Sequence, residues 1–158
     1  MRVQQVMSRA VRVCRPADGL DVPARMMKDH DCGCVVVVDE EEKPLAMVTD
    51  RDVCLCAVRT LRPLQMLQVS DAMSSGIHVC RAADSLADAE GTMALRRVRR
   101  LPVIEPTGRL VGILSLDDIA RETSGDPIAV GRIAKTLAQV SRPRVASRAR
   151  GRQARPSE

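Results

Sequence analysis

Two short constellations in the chain combine the residue types that a nucleotide requires. Thr49-Asp50-Arg51-Asp52 and Ser115-Leu116-Asp117-Asp118 each place a hydroxyl residue three positions before a carboxylate, at the mouth of a stretch with helical periodicity. A helix that starts there turns N–H groups and a hydroxyl outward, where they can donate to a phosphate. A carboxylate one turn along, Asp52 or Asp118, can accept from the two hydroxyls of a ribose, as an acid does in dinucleotide sites. Arg51 stands beside Asp52 as a phosphate partner, and Asp117 takes that place beside Asp118. The simpler reading is an ordinary capping box, which uses the same residues at the same spacing. Context decides between the two.

The remaining reactive side chains are six cysteines and two histidines. Cys32-x-Cys34 falls at a strand edge, where neighbouring side chains alternate between faces. Cys54-x-Cys56 falls on a helix, and neither pair has the two-residue gap of a zinc knuckle. Cys14 and Cys80 fall in apolar strands and read as buried structural thiols. His30 follows a helix close to Cys32 and Cys34, which leaves a metal or thiol sensor as an alternative reading. No nucleophile with a base and a supporting group is legible, so no enzyme activity is expected and no metal site is assigned.

The elements that position these residues come in two copies. Shifting the chain against itself by 66 residues aligns residues 3–53 with 69–119 without a gap, and twelve of the 51 positions are identical. Val13-Cys14-Arg15-Pro16-Ala17-Asp18 meets Val79-Cys80-Arg81-Ala82-Ala83-Asp84. Val35–Asp39 meets Leu101–Glu105, and Thr49–Val53 meets Ser115–Ile119. Each copy reads as β-α-β-β-α. The first strands are expected around Val11–Cys14 and Ile77–Cys80. Helices follow, capped by Asp18 and Asp84 and running to about Lys28 and Leu95. The central strands are Val35–Val38 and Leu101–Ile104. After a turn come the strands Leu45–Val48 and Leu110–Leu114, and then helices opening at Thr49 and Ser115. A small sheet covered by helices on one side cannot bury its other face alone, so the two units are expected to pack sheet to sheet about a pseudo-twofold axis. The expected organisation is residues 1–60 for the first repeat and 67–125 for the second. A helix over 126–140 begins at Asp126-Pro127, with Ile128, Ile133, Leu137 and Val140 on its apolar side. A basic, disordered tail over 141–158 completes the chain.

At this level of detail the chain resembles a known family. The pattern Val-Met, Val-x-x-Pro, Leu, Met, an apolar four-residue run ending in an acid, and Val-Thr-Asp-Arg-Asp-Val is similar to a cystathionine-β-synthase (CBS) domain. Two in tandem resemble the CBS pair, or Bateman module, of stand-alone CBS-domain proteins. The resemblance covers residues 3–122 and implies an α+β fold with a regulatory role. It implies that adenine nucleotides (AMP, ADP, ATP or S-adenosylmethionine) bind as regulatory ligands in clefts between the repeats, and that two chains pair as a homodimer. It further implies that Thr49 and Asp52 face Gly76, Ile77 and His78, and that Ser115 and Asp118 face Ala10 and Val11. Arg100, followed by Leu101 and Pro102, occupies a place where the family often carries a phosphate-contacting base. The copies depart from the pattern in different ways. The first has Gly33-Cys34-Val35-Val36 where the second has Arg99-Arg100-Leu101-Pro102, and Ala46 where the second has Gly112.

Composition narrows the alternatives. Phe, Tyr and Trp are absent and Met occurs eight times, so the core is aliphatic and sulfur-rich, and no aromatic platform for stacking bases exists. The net charge of +5 resides in residues 141–158, with six Arg against Glu158; residues 1–140 balance. Contact with nucleic acid is therefore expected only through the tail, and the first alternative function is a dimeric interaction platform whose Arg-rich tail makes that contact, ahead of the thiol or metal sensor. No apolar run is long enough to span a membrane and no signal peptide is legible, so a cytoplasmic protein without a membrane partner is expected.

Overall fold

The computed structural model describes residues 1–142; the tail, beyond Arg142, lies outside the described residues. Each repeat forms a three-stranded sheet. In the first, β1 (Val13–Cys14) runs parallel to β2 (Cys34–Val38), and β3 (Pro44–Thr49) returns antiparallel on the other side of β2. In the second, β4 (Cys80–Arg81), β5 (Arg100–Ile104) and β6 (Leu110–Ser115) repeat that order and those directions. The registers match across the 66-residue shift: Val36 pairs Met47, and Pro102 pairs Ile113. Both hairpins carry a register shift at the same place, Val37/Val38 and Val103/Ile104.

Helices α2 (Asp21–Asp29) and α3 (Asp50–Thr60) cover one face of the first sheet, and α4 (Leu86–Arg96) and α5 (Leu116–Glu122) cover the second. Val35 and Val37 join Leu20, Met27 and Val53 beneath the first pair; Leu101 and Val103 join Met93, Leu114 and Ile119 beneath the second. Val36 and Val38 point to the opposite face of their strand. They are nonetheless 0% and 1% exposed. A run of five buried residues on β2 requires cover on both faces. Val36 borders a cleft between the repeats, which Ile113 of β6 also lines, in the α+β arrangement of two three-stranded sheets and helices expected from the sequence.

The first strand of each repeat starts later than the sequence implied, at Val13 and Cys80, the other strands run a residue or two longer, and two helix caps differ. Asp18 and Asp84 do not cap α2 and α4; each carboxylate accepts the N–H three residues earlier, from Arg15 and Arg81, both at 2.7 Å. In the second repeat the cap is Ser85, whose hydroxyl accepts from Asp88 N–H at 3.1 Å. The equivalent residue of the first repeat is Gly19, which has no side chain to do this, and α2 starts later, after Leu20.

The opening turns are exchanged between repeats. Helix α1 (Val3–Val6) belongs to the first repeat in sequence, yet Val3 and Met7 lie in the core of the second. Leu67 and Val69, which introduce the second repeat, lie in the core of the first. Matching backbone bonds hold the exchange: Leu20 N–H donates to Leu67 O at 2.9 Å and Leu86 N–H donates to Met1 O at 3.2 Å.

Helix α6 (Pro127–Val140) begins as expected, with Asp126 Oδ1 accepting from Ile128 N–H at 2.9 Å. Its packed side is different. Ile128 is 80% exposed and Leu137 is 45% exposed. The inner face is Ala129, Ile133, Thr136 and Val140, laid against α4 and α5. Glu90 of α4, 1% exposed, decides that orientation. A buried carboxylate needs partners. Arg132 Nε donates to it at 2.6 Å and Thr136 Oγ1 at 2.8 Å, one turn apart on α6.

Candidate functional site

Reciprocal backbone bonds bring the repeats together at their edges. Ser8 and Ile113 exchange N–H···O bonds of 2.9 Å in both directions, an antiparallel bridge that ties the segment around Ser8 to β6. The shifted pair is Ser74 and Met47: Ser74 N–H donates to Met47 O at 2.9 Å and Met47 N–H donates to Ser74 Oγ at 3.1 Å. Gly76, Ile77 and His78 follow this contact in the chain, and none of them, nor Thr49 or Asp52, lines the cleft beside the Ser8–Ile113 bridge.

Beside the first contact is a cleft of about 380 Å³ between the repeats. Ala10, Val11, Arg100, Ser115 and Asp118, named from the sequence, all line it. Ser115 and Asp118 hold each other. Ser115 N–H and Ser115 Oγ donate to Asp118 Oδ2 at 2.9 and 2.6 Å, and Asp118 N–H donates back to Ser115 Oγ at 3.1 Å. Thr49 and Asp52 form the same box, with 3.0, 2.7 and 3.2 Å. Both boxes are therefore helix caps as well as candidate ligand groups. Arg51 and Asp117 are exposed and outside this cleft, Leu101 is a core residue at 0% exposure, and Pro102 is buried in β5.

The cleft also takes in Arg12, Asp31 and Arg121, which the sequence reading passed over, and Cys32 and Cys34, which it had named only for thiol or metal chemistry. Arg12 sits at the position equivalent to His78, so the 66-residue shift already pointed to it. Arg121 lies three residues after Asp118 on α5 and pairs with Asp118 Oδ1. Helical spacing is the signal for that contact. Arg100 reaches over Gly33: a Cβ built there would lie 4.0 Å from the guanidinium and 3.8 Å from Asp50 Oδ2. Three arginines against two carboxylates make the lining cationic on balance, which suits an anionic ligand.

Cys32 and Cys34 both line this cleft, as strand alternation requires of residues two apart. Burial pushes the Cys34 thiol up, partly offset by the Arg100 guanidinium beside it. Cys14 and Cys80 are pushed up to about 12, by burial first and then by Asp18 and Asp84 respectively. His30 Nδ1 lies 3.2 Å from Arg12 Nη2. Among the described residues no group of three or more His, Cys, Asp or Glu is placed to hold a metal ion. No helix among them is long and apolar enough to cross a membrane.

Comparison with known proteins bears on this arrangement. The CBS domain model matches residues 3–58 and 69–125. The CBS domain-containing protein YhcV of Bacillus subtilis is 35% identical over 118 residues, 75% of this chain and 82% of that protein. An uncharacterised protein of Methanopyrus kandleri is 28% identical over 117 residues, and the match spans 74% of this chain but 60% of that longer relative. Among solved structures, hypoxic response protein I with two coordinated zinc ions superposes with a TM-score of 0.69 at 26% identity, over 77% of this chain and 98% of that one. CBSX2 in complex with AMP gives 0.68 at 24%, over 78% and 96%. The CBS pair of protein MJ0100, in complex with 5′-methylthioadenosine and S-adenosyl-L-methionine, gives 0.69 at 18%, over 79% and 97%. The two repeats are thus a tandem pair of CBS domains, and the chain belongs to the CBS-domain family.

Proposed function

We propose that this CBS pair is a regulatory module that binds an adenine nucleotide (AMP, ADP, ATP or S-adenosylmethionine) in the cleft between its repeats and acts without catalysis. The observation that carries the reading is the convergence, in one cleft of about 380 Å³, of Ser115 and Asp118 from one repeat with Ala10 and Val11 from the other, under Arg100. Ligand pockets fall in this size range. Asp118 is the acceptor for the ribose, Arg100 the phosphate partner, and Val11 and Val36 offer the base an apolar wall. Structural relatives solved with AMP and with S-adenosyl-L-methionine support the ligand class. The first repeat's box, Thr49 and Asp52, is the corresponding place for a second ligand, opposite Gly76, Ile77 and His78. Two chains pair as a homodimer in this reading, and sedimentation should give twice the 17.2 kDa of one chain. A cytoplasmic location fits a sensor of a soluble metabolite.

Calorimetric titration with each nucleotide tests the assignment. Saturable binding to the wild type that weakens at least about tenfold in Asp118→Ala is expected, the loss of one charge-assisted hydrogen bond being worth about 1.5–3 kcal/mol. Undiminished affinity in Asp118→Ala would remove the cleft from consideration.

A further inference from the structure

The lining of the cleft is not symmetric. At positions related by the 66-residue shift, Arg100 corresponds to Cys34, Arg12 to His78 and Arg121 to Leu55. Arg121 is thus a cation that only the second repeat places one turn beyond its capping box. Its guanidinium pairs with Asp118 Oδ1, while Asp118 Oδ2 is taken up by the backbone N–H and hydroxyl of Ser115. Both oxygens of the carboxylate that would receive a ribose are therefore engaged. The two engagements differ in strength. Asp118 is 16% exposed and its bonds to Ser115 are part of the helix cap, whereas the Arg121 side chain is 75% exposed. A pair with one solvated partner is readily surrendered.

We propose that Arg121 makes the cleft selective for phosphorylated nucleosides, by giving up Asp118 Oδ1 to the ribose and taking the ligand's phosphate in exchange. The proposal rests on the nucleotide reading above and deepens it. A nucleoside monophosphate brings an anion with it, so the guanidinium passes from a carboxylate to a phosphate, a stronger and commonly bidentate partner. An uncharged nucleoside offers nothing in return: it must strip a cation from Asp118 and leave that cation without its anion. Specificity then comes from the cost imposed on the wrong ligand as much as from attraction to the right one. The other cleft arginines do not touch Asp118. Arg12 faces His30 Nδ1 at 3.2 Å, and Arg100 lies over Gly33 near Asp50 Oδ2.

AMP and adenosine, titrated calorimetrically into the wild-type chain, Arg121→Leu and Arg121→Lys, test this. Arg121→Leu installs the residue that the first repeat carries at the equivalent place, on a surface position, and circular dichroism confirms that the variants fold. AMP should weaken about tenfold or more in Arg121→Leu while adenosine binds as well as before or better, so that the preference for AMP collapses. Arg121→Lys keeps the charge and should retain part of the preference. A purely structural role for the Arg121–Asp118 pair would weaken both ligands by the same factor, and that result overturns the proposal. So does unchanged AMP affinity in Arg121→Leu, which would give the phosphate to Arg100 and leave the nucleotide reading standing. A wild-type chain that binds neither probe overturns the proposal, and the nucleotide reading falls with it only if ADP, ATP and S-adenosylmethionine also fail to bind.

Discussion

At the scale of single residues, the two repeats differ where their neighbours leave no choice. Gly112 is the clearest case. A Cβ built there would lie 2.6 Å from Met7 Sδ and 3.1 Å from Ser8 O, the backbone that pairs with Ile113. Ala46, at the equivalent place, fits in the first core at 1% exposure. Gly112→Val should therefore destabilise the chain by about 1–3 kcal/mol, whereas Ala46→Gly should cost less than that; urea unfolding followed by circular dichroism measures both. The buried thiols make a prediction about pH. Cys14 and Cys80 titrate at about 12 in the folded chain against an ordinary value of 9.0. Below pH 9 these thiols are protonated in folded and unfolded chains alike and contribute no pH dependence. As pH rises from 9 toward 12, the unfolded chain loses their protons while the folded chain keeps them, so stability falls. Unfolding midpoints measured between pH 8 and 11 should drop, and Cys14→Ala should reduce the slope. The exposed Cys54 should react with an alkylating reagent well before either.

At the scale of elements, helix α6 shows what hydrophobic pattern can and cannot reveal. The sequence marked its start at Asp126-Pro127 and its extent. It did not mark its packed face, because the helix is apolar on several sides and the deciding group, Glu90, sits 42 residues away from Arg132 on another helix. Tertiary pairing of a buried charge overrode the hydrophobic stripe. Removing one member of such a pair leaves the other buried and unmatched. Arg132→Ala should cost about 1–3 kcal/mol, discounted from a fully buried pair because Arg132 is 45% exposed. Replacing Glu90 with Gln in the same chain should recover much of that loss, as thermal unfolding of the single and double variants would show. The strand and helix order of both repeats was legible for the opposite reason: β2 and β5 are short, aliphatic and bounded by turns. The helix caps were half legible. Thr49 and Ser115 cap through their own side chains, while the Asp18 and Asp84 carboxylates fold back onto Arg15 and Arg81, a local competition that residue type alone does not resolve.

At the scale of the whole molecule, the sequence repeat and the packed unit are not the same object. The 66-residue period is visible in the chain, but the exchange of the opening turns is not, because Val3 and Val69 are equivalent apolar residues wherever they pack. The exchange ties each core to the other repeat's leading segment. Unfolding is therefore expected as one cooperative transition, and Val3→Ala should lower the hydrogen-exchange protection of β5 in the second repeat more than that of β2 in the first. The cleft follows from the same geometry, since Ser8 brings Ala10 and Val11 alongside Ser115 and Asp118. Those four residues were legible through the family resemblance. Arg121, Asp31 and Cys32 were not, because only the folded chain brings them to the same opening.

The most direct test of the central claim is a thermal unfolding curve, followed by circular dichroism because the chain has no aromatic residue, in the presence of AMP, ADP, ATP or S-adenosylmethionine. A nucleotide present at 100 times its dissociation constant should add about 2.7 kcal/mol and raise the midpoint by several degrees. A shift with at least one of the four, lost in Asp118→Ala, is the expected result. Superimposable curves with all four would contradict the assignment of the cleft as a nucleotide site.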